Sequence, residues 1–334
     1  MQIGLITRGV LLIAARNSIS VWILGLACYT KSYQSIHNHL CRFAGIILKK
    51  LLICLLELKR VIGACAKLSR FRPYVELIVS LLPFRFVMKM VGILLSSQGF
   101  GSGARVRTSG ELNAARILLG DDVTKPMTIF DVGANRGEYT SAILELYPRS
   151  RIFAFEPSRE TFRLLEAEFA AMSQVVKLNY GLGCKARSQL LYKESQYARI
   201  ASLTPLDVTD HDYTEKVVIR TLDEVVSEHG ISEIDLLKID VEGHELDVIT
   251  GAQNTLTLRK IKCLQFELGG SSIDTNTTLK DIYEMLSQYD YRLYLISRRG
   301  VVPLDTYDYQ LEQYSTTNFI AELRKKSASQ SNSQ

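Results

Sequence analysis

The chain has 334 residues, 47% of them hydrophobic, so it can bury a large core and still carry a smaller region beside it. Residues 1–100 hold 13 Lys and Arg against Glu57 and Glu76, a net of +11, whereas the remainder holds 27 against 33, a net of −6. The acidic remainder lacks a basic stripe with interleaved aromatic residues, which argues against nucleic acid as a substrate. The six cysteines form no CxxC pair, which argues against a zinc site or a disulfide framework and favours a reducing compartment.

Residues 1–100 are predicted to be a helical, basic and hydrophobic extension. The longest charge-free run in it, Asn17–Thr30, has 14 residues, against roughly 20 that cross a bilayer. Arg42–Lys67 is amphipathic, which fits a helix that lies on an anionic bilayer or one that packs against the catalytic domain or a second subunit. A span through Val10–Tyr29, with Arg16 tolerated, is a third arrangement.

The first chemical motif is a glycine turn between a predicted strand, Met127–Val132, and a predicted helix, Tyr139–Leu146. Gly133 and Gly137 permit a tight turn with close backbone approach, so a ligand's charged end is expected to meet backbone N–H groups at the start of the helix. The spacing lacks the full G-x-G-x-x-G of a dinucleotide site. The residues that we predict to hold a cofactor at this turn are Asp131, Gly133, Asn135 and Gly137.

Two acids indicate which cofactor binds. Asp131, which precedes the glycine turn, suits an ammonium group better than a pyrophosphate, which it would repel. The next predicted strand, Arg151–Phe155, ends in Glu156, which can accept both hydroxyls of a ribose. An adenosine with a cationic amino-acid tail describes S-adenosylmethionine. Asn179, at the end of a third predicted strand, is a weaker candidate near the adenine.

From residue 127 onward, strands and helices alternate, which is typical of a parallel sheet. Residues 181–214 interrupt this alternation and predict an inserted hairpin that shapes the substrate site, with strands Gln189–Tyr192 and Val217–Arg220. Thr221 and Glu224 form a capping box, which predicts that the following helix begins there. The remaining predicted strands start at Ile234 and run over Ile261–Phe266, Tyr291–Ile296 and Asn318–Leu323.

A second cluster of titratable residues follows the strand that starts at Ile234. Asp240, Glu242 and His244 lie at its carboxyl end, and Glu267 ends the next strand at the same edge, where open α/β sheets carry their ligand sites. His244 is the first choice for a general base, because imidazole titrates near neutrality, with Glu242 and Glu267 as alternates. A less favoured alternative is that a divalent cation is held by Asp240, Glu242 and Glu267. No metal site is therefore predicted.

These motifs, in this order, resemble the FkbM family of S-adenosylmethionine-dependent methyltransferases. The resemblance covers about residues 127–323 and rests on Phe130 to Gly137 (FDVGANRG), Phe155 to Pro157 (FEP), Thr221 to Asp223 (TLD), Leu237 to Glu245 (LKIDVEGHE), Gln265 to Glu267 (QFE) and Tyr291 to Tyr294 (YRLY). It implies a Rossmann-like α/β fold with seven strands, the last antiparallel, and in-line methyl transfer to a hydroxyl of a glycan, a sugar-containing acceptor or a secondary metabolite. Residues 1–100 lie outside it.

The sequence therefore predicts three regions: the extension 1–100, a methyltransferase domain 101–323 and a disordered tail 324–334. We expect a cytoplasmic enzyme, peripheral at the cytoplasmic face of a membrane if the extension binds an anionic lipid surface. An inactive cofactor-binding adaptor, tethered to a membrane or a glycan-assembly complex, is the alternative. The sequence leaves the oligomeric state and the acceptor open.

Overall fold

A computed structural model describes residues 73, 76–77, 79–101, 106–195, 200–206, 213–312 and 315–325. The chain divides into two compact units, Met1–Pro83 and Phe84–Gln334. The predictions for 10–29 and 42–67 lie outside the described residues, as does most of the predicted tail, and the boundary after residue 100 stays a prediction. In the described part of the chain, no helix is both long and apolar enough to cross a bilayer.

The second unit is built from alternating strands and helices. Its strands are β1 (Thr128–Val132), β2 (Arg151–Phe155), β3 (Val175–Leu178), β4 (Gly181–Leu182), β5 (Arg187–Lys193), β6 (Ala201–Ser202), β7 (Tyr213–Arg220), β8 (Ile234–Ile239), β9 (Ile261–Leu268), β10 (Tyr291–Ser297), β11 (Gly300–Leu304) and β12 (Thr317–Leu323). Its α-helices are α1 (Phe84–Ser97), α2 (Val106–Ser109), α3 (Glu111–Leu119), α4 (Glu138–Leu146), α5 (Arg159–Glu168), α6 (Leu222–Glu228), α7 (Glu245–Thr250), α8 (Gln253–Thr257), α9 (Ser271–Asp274) and α10 (Leu279–Gln288).

The main sheet has the strand order β11-β10-β12-β9-β8-β1-β2-β3. Strands β3, β2, β1, β8 and β9 are parallel, and β12 runs antiparallel to both β9 and β10. The Rossmann-like α/β class and the antiparallel last strand are confirmed. The predicted count of seven strands is corrected, because β11 pairs antiparallel with β10 at the sheet edge. Pro303 within this short run reads as a strand breaker, but an edge strand tolerates its missing N–H.

The central strands are apolar on both faces because helices cover both sides of the sheet. Phe130 of β1 and Leu237 of β8 pack into the core on one face, and their chain neighbours Ile129 and Leu236 pack into the core on the other. All four side chains are fully buried. This two-sided burial fixes the register of β1 against β8, so that both strands end at the same edge.

The insertion forms a second sheet with the strand order β4-β7-β5-β6. The predicted hairpin is present with longer strands, β5 and β7, which pair antiparallel from Arg187 with Ile219 to Lys193 with Tyr213. The predicted capping box is also present, since the Glu224 amide donates to Thr221 Oγ1 at 3.2 Å and the Thr221 amide donates to the Glu224 carboxylate at 3.1 Å.

Candidate active site

The turn between β1 and α4 requires glycine for the approach of a neighbouring loop. Gly133 has φ 84° and Gly137 has φ 87°. A Cβ on Gly133 would lie 1.8 Å from the backbone oxygen of Asp240, and one on Gly137 would lie 2.2 Å from the ring of Phe169. Both distances are far inside van der Waals contact, so the glycines let the loops after β1 and β8 and the end of α5 pack together.

The amide groups of this turn are engaged within the protein. Gly133 N and Ala134 N both donate to the Phe155 carbonyl, at 3.0 and 2.9 Å. Asn135 N donates to Glu156 Oε2 at 3.0 Å. These bonds occupy the amides of the first three residues of the turn, which precede α4. The expectation that a ligand meets the amides at the start of that helix stays a prediction.

Glu156 lies at the carboxyl end of β2, as predicted, and is 6% exposed. Its Oε1 accepts Ser158 N at 2.8 Å, so backbone amides fix both carboxylate oxygens. Burial raises the pKa of Glu156 to about 7, against the opposing effect of those two amides. Asn179 is exposed and donates to the backbone oxygens of Glu156 and Pro157, at 2.9 and 3.2 Å, so it holds this loop in place.

Two adjoining cavities open at this edge of the sheet and share Gly133, Asn135, Asp240 and Glu242. The smaller cavity has a volume of about 120 Å³ and is walled by Glu156 on one side and by Leu191 and Leu203 of the insertion on the other. The larger has a volume of about 510 Å³ and extends past Asp131. We call them the Glu156 cavity and the Asp131 cavity.

The Asp131 cavity has a large excess of acid. Its described lining contains one lysine, Lys238, and six carboxylic acids, which are Glu111, Asp131, Glu138, Asp240, Glu242 and Glu267. Lys238 is 2% exposed and donates to Asp240 Oδ2 at 2.8 Å. Burial alone would lower the pKa of Lys238. The charges of four nearby acids raise that pKa well above its usual value instead; the acids are Asp240, Glu111, Asp131 and Glu267. Thr140 Oγ1 donates to Asp131 Oδ2 at 2.6 Å.

Two of these acids have strongly raised pKa values. Burial, reinforced by the charge of Asp240, raises the pKa of Glu242 to about 8. The same causes raise the pKa of Glu267 to about 9, with Lys238 opposing them. Glu242 has a left-handed backbone with φ 51°, and Ser202 Oγ of the insertion donates to its carbonyl at 2.9 Å. Non-glycine residues in that region carry strain, which is often found at functional sites.

His244 lines the Glu156 cavity and is 9% exposed. Its Nδ1 lies 3.0 Å from Asp247 Oδ2 and its Nε2 lies 3.1 Å from Thr204 Oγ1 of the insertion. In a neutral imidazole beside an ionised Asp247, Nδ1 donates to the carboxylate and Nε2 accepts the Thr204 hydroxyl. Both ring nitrogens therefore have partners within the protein, outside the Asp131 cavity.

A buried polar chain supports the Asp131 cavity from behind. Tyr139 Oη donates to Gln265 Oε1 at 3.2 Å, Gln265 Nε2 donates to Glu111 Oε1 at 2.7 Å, and Ser109 Oγ donates to Glu111 Oε2 at 2.6 Å.

Sequence reasoning missed Glu111, because nothing in α3 marks it as a site residue. It also missed Lys238, for which a buried lysine inside an apolar strand, two residues before Asp240, was an available signal.

Comparison with known proteins identifies the family. The sequence profile of the Methyltransferase FkbM domain matches residues 131–293. The hexuronic acid methyltransferase AglP of Haloferax volcanii is 30% identical over 180 residues, which cover 54% of this chain and 69% of that protein. The chain belongs to the FkbM methyltransferase family. It is therefore an enzyme, and S-adenosylmethionine is its methyl donor.

Two further comparisons complete this picture. The 2-O-methyltransferase NoeI of Sinorhizobium fredii is 29% identical to this FkbM methyltransferase over 183 residues, covering 50% of the chain and 75% of that protein. A solved precorrin-6y C5,15-methyltransferase from Geobacter metallireducens covers 67% of the chain and 94% of its own, with a TM-score of 0.36 and 13% identity. A TM-score of 0.36 at 13% identity supports no conclusion about the site.

The residues present in this FkbM methyltransferase suit S-adenosylmethionine. That molecule carries an ammonium and a sulfonium, and the Asp131 cavity holds buried carboxyls in excess of its described lysine. Burial raises the pKa of Asp131, partly offset by Lys238, so an incoming cation would stabilise its charged form. Among the described residues, no group of three or more His, Cys, Asp or Glu is arranged to hold a metal ion.

Proposed function

We propose that this FkbM methyltransferase methylates a hydroxyl of a sugar-containing acceptor, in a glycan or a secondary metabolite, that binds in the Asp131 cavity. The observation that carries the proposal is the pair of adjoining cavities that meet at Asp240 and Glu242, one beside Glu156 and the other rich in acids. The printed names of AglP and NoeI, a hexuronic acid methyltransferase and a 2-O-methyltransferase, support a sugar-like acceptor. They give no support to the adaptor alternative.

The cofactor's two ends match the two cavities. Glu156 would accept the ribose hydroxyls, since each of its oxygens has lone pairs beyond the one that a backbone amide uses. Asp131, across the shared Gly133 and Asn135, would hold the ammonium. S-adenosylmethionine supplies a methyl group on a sulfonium sulfur, and what the chain must do is align the acceptor and remove its proton.

We favour Glu242 over His244 as the general base. Glu242 lines the cavity proposed for the acceptor, whereas His244 lines only the Glu156 cavity and both its nitrogens have partners. A carboxyl with a pKa of about 8 is a stronger base than an ordinary carboxylate once it is ionised. Glu267, whose pKa of about 9 keeps it protonated at neutral pH, can donate a hydrogen bond to the acceptor.

The experiment is methyl transfer from labelled S-adenosylmethionine to a panel of neutral glycosides, uronic acids and lipid-linked sugars. We expect labelled ether product on at least one sugar. Glu242→Gln should lower kcat by roughly 100-fold or more, His244→Gln should lower it far less, and the exposed control Glu284→Gln should leave it unchanged. Label transfer to an amine or a carboxyl group, with no sugar ether formed, would contradict the proposal.

We also propose that α1 lies on an anionic membrane surface. None of its residues is buried, and Phe84, Ile93 and Leu94 are 76, 56 and 61% exposed. At 100° per residue its apolar side chains cover more than half of the helix circumference, while Arg85 and Lys89 share one narrow stripe. The helix has no acidic residue. A broad apolar face beside a basic stripe is typical of helices that lie in the lipid interface.

Site-specific fluorescence tests this placement in the full chain, whose single tryptophan is Trp22. In a Trp22→Phe background, Ile93→Trp should be quenched by brominated lipid in vesicles containing phosphatidylglycerol. The control Leu258→Trp, at a position 65% exposed on the catalytic unit, should not be quenched. A tryptophan at position 93 that is shielded from iodide without vesicles, and unquenched with them, would mean that protein covers α1 instead.

A further inference from the structure

An ion pair between a buried lysine and a half-buried glutamate ties the insertion to the main sheet. Lys193, the last residue of β5, is 4% exposed. Its Nζ donates to Glu215 Oε2 at 2.9 Å and to Ser158 Oγ at 3.0 Å. Lys193 and Glu215 belong to the insertion, whereas Ser158 lies in the turn after β2. The lysine therefore joins the insertion to this turn, and Glu215 does the same by accepting the Ser158 hydroxyl at 3.2 Å.

The carboxylate of the pair, Glu215, caps the N-terminus of α5, a helix outside the insertion. Ser158 is the N-cap of α5, but its side chain makes no capping hydrogen bond. Glu215 Oε1 instead accepts Arg159 N, the first amide of α5, at 2.9 Å. Although burial opposes it, this hydrogen bond and those from Lys193 and Ser158 lower the pKa of Glu215. The insertion thus supplies the negative charge that a helix N-terminus favours.

The same turn carries Glu156. Ser158 donates its amide to Glu156 Oε1 at 2.8 Å, while its hydroxyl lies 3.0 Å from the lysine ammonium. Ser158 is therefore held on both sides, and its place sets the place of the Glu156 carboxylate. Lys193 also opposes the effect of burial on the pKa of Glu156. Lys193 of the insertion thus acts on Glu156 in two ways. It holds Ser158, which binds the Glu156 carboxylate, and its positive charge favours the ionised form of that carboxylate.

We propose that Lys193 is a positioning residue for cofactor binding: with Glu215 it fixes the turn after β2, so that Glu156 presents an oriented, ionised carboxylate to the ribose. The inference rests on the proposed binding of the ribose at Glu156. It gives the insertion, whose Leu191 and Leu203 already wall the Glu156 cavity, a direct effect on the acid that binds the ribose. A purely structural role, in which Lys193 only docks the insertion, would alter stability without altering how cofactor affinity depends on pH.

The test compares full-chain Lys193→Met with Lys193→Arg and with Lys216→Met, an exposed lysine on the adjacent strand. S-adenosylmethionine binding is measured by calorimetry from pH 6 to 9, and melting temperature in parallel. The groups that act most strongly on the charge of Glu156 are Lys193, Glu215 and the amides of Asn135 and Ser158. Asp240, Glu242 and His244 line the same cavity. Without the lysine charge, a higher pH is needed to ionise Glu156, so the midpoint of the affinity profile should move upward.

We expect Lys193→Met to bind roughly fivefold or more weakly at pH 7, with a midpoint at higher pH. Lys193→Arg should recover most of the affinity, and Lys216→Met should match wild type. If Lys193→Met does not fold, Ser158→Ala removes the hydrogen bonds of the serine hydroxyl to Lys193 and Glu215 while leaving the Lys193–Glu215 pair. A loss of affinity is expected, without the shift in midpoint, because the lysine charge remains.

Equal affinities and equal midpoints in wild type and a folded Lys193→Met would overturn the inference alone. If Ser158→Ala is the variant that folds, an affinity equal to that of wild type would overturn it. Failure of wild type to bind S-adenosylmethionine at any pH in this range would instead overturn the proposed placement of the ribose, and the inference with it.

Discussion

Four carboxyl groups at the carboxyl edge of the sheet are held in an environment that disfavours their charge. Burial raises the pKa of Glu156 and Glu245 to about 7, of Glu242 to about 8 and of Glu267 to about 9. Unfolding would return each to an ordinary value near 4.5. The folded protein therefore binds more protons than the unfolded chain throughout the range between those values.

This difference predicts a stability that falls as pH rises. The contribution of these groups is fully present below about pH 4.5 and is lost progressively as pH rises through 7, 8 and 9. We expect the melting temperature of the ligand-free protein to fall by roughly 5 °C or more between pH 5 and pH 9. The double variant Glu242→Gln, Glu267→Gln should flatten this slope, as measured by calorimetric scans across the range. A slope that is the same in both proteins would contradict the account of these two residues.

Gly133 lies where a neighbouring loop leaves no room for a side chain. Gly133→Ala would place a Cβ 1.8 Å from the Asp240 carbonyl, whereas Gly120, at a similar φ of 93°, has nothing within 4 Å of an added Cβ. Gly120→Ala therefore measures backbone strain alone, about 1 to 3 kcal/mol. Gly133→Ala should cost more than about 4 kcal/mol in the free energy of unfolding. Equal losses in urea denaturation of the two variants would show that the loops can separate at little cost.

Among the elements, the insertion does more than frame a substrate. It contacts the loop after β8 through two hydrogen bonds, one from Ser202 to the Glu242 carbonyl and one between Thr204 and His244. It contacts the turn after β2 through Lys193. The Glu156 cavity beneath it measures about 120 Å³, well below the roughly 300 Å³ at which ligand pockets usually begin. A nucleoside therefore fits there only if side chains of the insertion above the cavity, such as Leu191 and Leu203, move aside.

We predict that cofactor binding changes hydrogen exchange in the insertion. Amides of β5 and β7 should exchange at a different rate when S-adenosylmethionine is present, because their contacts over the Glu156 cavity must rearrange. Amides of α10, which lines neither cavity, serve as the internal comparison. Exchange that changes only around β1 and α4 would mean that the cofactor binds without moving the insertion.

The elements themselves were largely predictable from the sequence. All seven predicted strands are present because two-sided apolar runs and alternation with helices are local signals. β11 was missed because its proline is compatible with a strand only at an edge, and edge position is a property of the folded sheet. The Lys193–Glu215 pair was equally hidden, since the register of β5 against β7, not the spacing along the chain, brings these two side chains together.

At the scale of the whole molecule, parallel strands bring distant acids to one edge. Five acids lie at or just after the carboxyl ends of four different strands, and their convergence on one edge was predicted from that rule; they are Asp131, Glu156, Asp240, Glu242 and Glu267. Their division between two cavities was not predictable, because it depends on how the loops after β1 and β8 pack. The contribution of Glu111 likewise depends on where α3 docks. The assignment of Asp131, Gly133, Asn135, Gly137, Glu156 and Asn179 to the cofactor stays a prediction.

The central claim is that S-adenosylmethionine binds across this edge, between Glu156 and Asp131. The most direct test is calorimetric titration of the full chain with S-adenosylmethionine and, in parallel, with NADH, using wild type, Asp131→Asn, Glu156→Gln and the exposed control Glu284→Gln. The account predicts binding of S-adenosylmethionine but not of NADH, weakened roughly tenfold or more in the first two variants and unchanged in the control. Wild-type affinity retained in both Asp131→Asn and Glu156→Gln would contradict it.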